Sequence, residues 1–86
     1  MNGVIKKVRP LARYVLEAEF DGGELRRYDC QRLIDEIPAF QAMIDNPEIF
    51  SHLRIASGGH GVVWNDELDV ASEEIWDNGT SCDPSE

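Results

Sequence analysis

The sequence predicts a single small α+β domain: an antiparallel sheet in βββ-α-ββ order, short helices over one face of it, and a short C-terminal helix. Three observations carry this reading. Residues 14–20 alternate apolar and polar side chains and run straight into Asp21-Gly22-Gly23-Glu24. Residues 30–50 abandon that alternation for short apolar stripes that begin at prolines. Gly61-Val62-Val63-Trp64 then restores a β-branched and aromatic run, followed by an acidic stretch that closes on Trp76. Strict alternation marks half-buried strands, and apolar spacing of three and four marks a helix face.

Taken in order, Val4-Ile5-Lys6-Lys7-Val8-Arg9 reads as a first strand stopped by Pro10, whose nitrogen cannot join a ladder. In residues 14–20, Tyr14, Leu16, Ala18 and Phe20 point one way and Val15, Glu17 and Glu19 the other. The next turn is expected to place Gly22 and Gly23 at its tip, because both central residues of the tight hairpin turn need positive φ. That register sets Phe20 opposite Leu25, Glu19 opposite Arg26, Ala18 opposite Arg27 and Glu17 opposite Tyr28. Shifting the tip back by one residue would oppose Glu19 and Glu24, a repulsive pair.

Asp29 can cap a short helix through Cys30–Ile34, its carboxylate accepting amides of the first turn. Pro38 suits the first position of a second helix, Pro38–Ile44, with Phe40, Met43 and Ile44 as its apolar stripe. Asn46-Pro47 starts one more turn, with Ile49 and Phe50 directed inward. Leu53–Ala56 is a fourth strand, Ser57–Gly61 a turn and Val62–Trp64 a fifth strand. Ser72-Glu73-Glu74 opens a last helical turn, with acidic residues where the helix dipole favours them. The domain is expected to span residues 1–76, with 77–86 a disordered acidic tail lacking an apolar anchor.

With 86 residues, the chain has room for one marginal core, since domains of this size bury only about 60% of the surface exposed on unfolding. Charge is unevenly distributed. Residues 1–32 hold seven cations and five carboxylates, net +2, whereas residues 33–86 hold Arg54 against twelve carboxylates, net −11. The total of −9 repels phosphate, so neither direct nucleic-acid binding nor an anionic membrane surface is expected. Cys30 and Cys82 do not make a disulfide framework, and no charged-then-apolar leader is visible. No apolar run approaches the ~20 residues that span a bilayer. A reducing, cytoplasmic location is expected.

No constellation assigns a catalytic, metal-binding or cofactor-binding residue. His60 lies among turn glycines and His52 precedes a strand, neither with a partner fixed by spacing. Cys30 lacks a histidine base and reads as a small core residue. Asn65, Glu67 and Asp69 alternate oxygen ligands, but the glycine and terminal glutamate of a calcium loop are missing. Gly58, Gly59 and Gly61 lack the Lys-Ser/Thr of a phosphate loop. Asn78-Gly79-Thr80 fits a glycosylation acceptor only by chance, without an export signal.

Val8-x-Pro10, Tyr14-x-Leu16, Phe20-x-Gly22-Gly23-Glu24, Tyr28-Asp29, Phe40, Phe50, Val63-Trp64 and Leu68-Asp69 together resemble the bacterial domain-of-unknown-function 2442 family, over about residues 4–76. The resemblance implies a small α+β domain with no assigned activity. It also implies gene neighbours that look like toxin–antitoxin or regulatory pairs. Some relatives continue into a helix-turn-helix, and nothing long enough for one follows Trp76 here.

The expected function is thus a non-catalytic, acidic protein-interaction module, the regulatory or antitoxin-like partner of a small, basic neighbouring protein. Lys6, Lys7 and Pro10 blunt the first sheet edge. The expected docking surface is therefore Trp64, Asp66, Glu67, Asp69, Glu73, Glu74 and Trp76, with both tryptophans also readable as core and lid. Homodimerisation through an unpaired strand is a further expectation. Two alternatives come from other classes. One is a small enzyme, or accessory subunit, in which Asp29, Cys30, His52 and Asp66–Asp69 converge. The other is a transcription-associated regulator acting through a partner, with Lys6, Lys7, Arg9, Arg13 and Arg32 facing DNA.

Overall fold

The first three strands, β1 (Ile5–Pro10), β2 (Val15–Phe20) and β3 (Leu25–Asp29), form an antiparallel meander in the computed structural model, which describes residues 3–12 and 14–81. The sequence supplies the reason. Leu16, Ala18, Phe20 and Tyr28 are all buried, so the even-numbered positions of both strands must share one face. This parity fixes the register as Leu16 opposite Tyr28, Ala18 opposite Arg26 and Glu17 opposite Arg27.

The expected register is therefore corrected by one residue. It would have opposed Tyr28 to Glu17 and mixed the two faces, the penalty of any single-residue slip. The loop has three residues, not two: the Phe20 amide donates to the Glu24 carbonyl at 2.8 Å, and Gly23 donates back to Phe20 at 2.9 Å. Gly22 and Gly23 both take positive φ, as their place in the turn demands. Tyr14 does not join the strand either. It adopts φ 70°, the left-handed region, where its carbonyl accepts the Cys30 amide.

Asp29 accepts the Gln31 amide at 2.9 Å and starts α1 (Gln31–Glu36). The expected helix Pro38–Ile44 is divided: a 3-10 turn covers Pro38–Gln41 and α2 follows at Ala42–Asp45. Phe40 and Met43 are buried as expected, but Ile44 is 41% exposed, because the change of helix type rotates it off the stripe. A second 3-10 turn, Pro47–His52, buries Phe50. These turns are held from both sides through backbone carbonyls. The Tyr14 hydroxyl donates to Met43 O at 3.1 Å, and Trp64 Nε1 donates to Phe50 O at 3.2 Å.

The second half departs furthest from expectation. β4 (Arg54–Ile55), β5 (Gly61–Asn65) and β6 (Leu68–Ala71) make their own three-stranded antiparallel sheet. The sequence marks β6 only as part of an acidic stretch. Its Leu68 and Val70 are buried and its Asp69 and Ala71 exposed, the alternation of a half-buried strand. Asn65 makes the corner, its side-chain oxygen accepting the amides of Glu67 and Leu68 at 2.8 and 3.1 Å.

The final turn grows into α3 (Ser72–Asn78), and β7 (Thr80–Ser81) pairs with β3, giving the first sheet the order β1-β2-β3-β7. The expectation of disorder after Trp76 is thus corrected for residues 77–81; residues 82–86 lie outside the described residues. The architecture is α+β with antiparallel strands and a short helix near the C-terminus, divided over two sheets that share one core.

Gly59 joins the two sheets. It is buried, it has φ 78°, and a Cβ there would lie 2.8 Å from the Ile5 carbonyl oxygen. Gly59→Ala is expected to lose about 2–3 kcal/mol, from backbone strain plus a displaced β1. Gly22→Ala, which meets nothing within 4 Å, should lose only about 1 kcal/mol. Urea denaturation of both variants checks the contrast, and equal losses would contradict the close approach.

Candidate functional site

The residues expected to form a docking surface divide into two groups. Asp66 and Glu67 sit at the exposed tip of the β5–β6 hairpin, with Asp69 exposed on β6 and Glu73 exposed on α3. Asp77, also exposed, continues the same sign along α3. No ion pair engages these five carboxylates among the described residues. They lie on consecutive elements: Ala71 ends β6 and Ser72 begins α3, with Asp66 and Glu67 at the far end of the hairpin.

Trp64, Glu74 and Trp76 belong elsewhere. Trp64 is 3% exposed, stacked on Phe50 with Phe40 against it edge-on at 5.8 Å. It is core, and the alternative of an exposed anchor is corrected. Trp76 is half-buried as a lid over the first hairpin, edge-on to Phe20 at 5.0 Å and stacked beneath Arg26 at 4.0 Å. Such an aromatic pair contributes about 1 kcal/mol beyond the area it buries.

Glu74 is a structural hub. Its carboxylate accepts the Tyr28 hydroxyl at 2.7 Å, Arg32 Nε at 3.0 Å and Asn78 Nδ2 at 3.0 Å. One side chain therefore ties α3 to β3 and to α1. Burial, then the hydrogen bond and charge of Glu74, push the Tyr28 hydroxyl well above its ordinary range. This network is the functional-looking feature that sequence reasoning missed. The only local signal is a glutamate in the first turn of a helix, and its partner Tyr28 lies 46 residues away.

The nucleophile candidate is disarmed by its surroundings. Cys30 is fully buried, and that burial, reinforced by the Asp29 charge, pushes its thiol from 9.0 up to about 12. A thiol becomes a nucleophile as the thiolate, so Cys30 is core, as expected. His52 and His60 are both exposed. His60 and Glu73 do line a groove of about 260 Å³ beside the buried Ser72, a grouping the sequence did not suggest. No side-chain hydrogen bond joins those three among the described residues, and an activated serine needs its base within reach. Asp29, Cys30, His52 and Asp66 share none of the grooves beside Ser72, beside Pro10 or between β1 and β4. Among the described residues, no group of three or more His, Cys, Asp or Glu side chains could hold a metal ion.

The basic residues suggested for DNA contact are largely occupied. Arg9 grips Glu17 at 2.9 Å, Lys6 lies 3.9 Å from Glu19 and Arg32 is bound to Glu74 at 3.0 Å, while Lys7 has no ion-pair partner among the described residues. Arg13 lies outside the described residues.

A family model described as a protein of unknown function (DUF2442) matches residues 5–81. The chain belongs to the DUF2442 family. The match spans everything from β1 to β7, so both sheets are part of the DUF2442 domain. No curated protein and no solved structure matches this chain. No helix among the described residues is long and apolar enough to cross a membrane.

Two measurements test the buried network. In a double-mutant cycle, Tyr28→Phe and Glu74→Gln should couple by about 1–2 kcal/mol, the worth of a hydrogen bond to a charged group; additive losses would contradict the contact. Alkaline pH should also unfold the protein. The folded chain holds the Cys30 and Tyr28 protons at pH values where the unfolded chain releases them, so stability falls as pH rises. The fall begins near pH 9.0 with the thiol and steepens near pH 10.0 with the phenol, at about 1.4 kcal/mol per pH unit for each group. Cys30→Ala should flatten the first interval of a stability-versus-pH profile; a profile parallel to the unaltered protein would rule the thiol out.

Proposed function

We propose that this DUF2442 domain is a non-catalytic protein-interaction module of the cytoplasm, docking a basic protein partner as the regulatory or antitoxin-like member of a pair. The observation that carries this reading is the set of exposed carboxylates Asp66, Glu67, Asp69, Glu73 and Asp77, carried by the consecutive β5–β6 hairpin and α3 and without an ion-pair partner among the described residues. An excess of one sign on neighbouring elements attracts a basic partner and steers it on approach. Trp76 is engaged with Phe20 and Arg26 of the first hairpin, and Glu74 fixes the helix that carries Glu73 and Asp77.

A partner encoded beside the gene, as the family resemblance implies, is the natural first candidate. The enzyme reading draws no support from a buried thiol with a raised pKa and two exposed imidazoles that, among the described residues, share with it none of the three grooves named above.

The test is co-purification of the tagged chain with the product of the adjacent gene, and from extracts of the native host, at low and at raised salt. The variant Asp66→Lys/Glu67→Lys/Asp69→Lys/Glu73→Lys changes only exposed side chains, so its circular dichroism should match the parent. A basic protein should be retained by the parent at low salt and lose about tenfold or more in affinity for the variant. Recovery of the same proteins by parent and variant alike would sink the reading.

A further inference from the structure

We infer that the groove between β1 and β4 is a second docking site, of opposite sign to the acidic face, for an extended acidic segment of a protein partner. The groove has a volume of about 530 Å³ and runs along β1 beside β4, with Lys7, Arg9, Glu17 and Glu19 on the face of the first sheet turned away from Leu16 and Phe20. Val8, Leu25, Leu53 and Ile55 each leave apolar surface only half covered within it. Lys7, Arg9 and Arg54 stand exposed along it.

Two carboxylates also line the groove, and both are already engaged: Glu17 by Arg9 and Arg27, Glu19 by Lys6. Lys7, Arg9 and Arg54 against Glu17 and Glu19 give the lining a net charge of +1 on a chain of net −9, and Lys7 and Arg54 are its charges without an ion-pair partner among the described residues. The backbone adds a further element. β1 pairs only with β2 and β4 only with β5, so each strand keeps one unpaired edge.

Charge selects the occupant. A second copy of β1 laid antiparallel on the first would set Lys6, Lys7 and Arg9 against one another, since Ile5–Pro10 contains no carboxylate to offset them. A nucleic acid carries a phosphate at every step and would extend beyond the two unengaged cations over a chain of net −9, whereas a short segment can confine its carboxylates to Lys7 and Arg54. An extended segment alternating apolar and acidic side chains satisfies every feature. Its apolar residues cover Val8, Leu25, Leu53 and Ile55, and its carboxylates reach Lys7 and Arg54. Lysines that deter self-pairing of an edge here favour a partner of opposite charge.

The proposal stands apart from the acidic face, and its test separates the two. A fluorescein-labelled, end-capped peptide of alternating Val and Glu is titrated with the full chain and followed by anisotropy. A Val and Lys counterpart and an oligothymidylate of similar length serve as competitors. The Val/Glu peptide should bind, with amide shift changes at β1 and β4, and Lys7→Glu/Arg54→Glu should weaken it about tenfold or more. Both side chains are exposed, so the melting temperature should hold; if it falls, Lys7→Gln should still weaken binding severalfold. The lysine-reversed acidic-face variant should bind the peptide as well as the parent does. Failure of the Val/Glu peptide to bind, equal binding by the groove variants, or equal competition by either control would overturn the proposal. So would sedimentation showing that the groove is closed by a second copy.

Discussion

The structure depends on parity in the first hairpin. Leu16, Ala18, Phe20 and Tyr28 can reach one core only if every even-numbered position of β2 and β3 faces the same side. That constraint sets the three-residue loop, which in turn decides where the charges go. Arg26 falls on the inner side and lies over Trp76, whereas Glu17 falls on the outer side between Arg9 and Arg27. A hairpin tip with one residue fewer would turn Arg26 and Tyr28 to the outer side and set Tyr28 against Glu17. The lid on the core and the engagement of Glu17 beside the groove are thus consequences of one register.

A second constraint is the scarcity of apolar material. The helical segment is made of single turns, too short to be stable by themselves. It is held instead by what surrounds it: Tyr14 and Trp64 donate to backbone carbonyls at Met43 and Phe50, and prolines begin two of the turns. On the other side of the molecule Glu74 plays the corresponding role, gathering Tyr28, Arg32 and Asn78 around one carboxylate. Polar tethers supplement a core that 86 residues can only make small.

Much of the fold was legible because local signals agreed. The alternation of residues 14–20, the glycines after Phe20 and the Asn46-Pro47 and Pro38 starts all mark elements the structure contains. What escaped lacked a local signal or hid beneath a stronger one. In β6, Asp66, Glu67 and Asp69 obscured the Leu68/Val70 pair that alternates into the core. In β7, Thr80 and Ser81 are polar and become a strand only because β3 offers a neighbour. The hairpin register has a signal too, since the apolar ring of Tyr28 belongs on the same face as Leu16 and not on that of Glu17. Within the acidic face, charge and exposure were readable for Asp66, Glu67, Asp69 and Glu73. The sequestration of Glu74 was not, because its partners come from distant segments. Trp64 carried both readings in the sequence, and only its packing decided between them.

The pairing of Thr80 and Ser81 with β3 has a consequence for how the molecule can grow. It blunts one margin of the four-stranded sheet with a strand of two residues, too short to template another chain. The opposite margin, β1, lies beside β4, with Gly59 against the Ile5 backbone, so it is not a bare edge either. Fibrils need two competent borders on one sheet, and the four-stranded sheet offers one that is too short and one that is flanked. Among the described residues, the places where another chain could stack without end are thereby reduced to the outer edges of β4 and β6 in the second sheet.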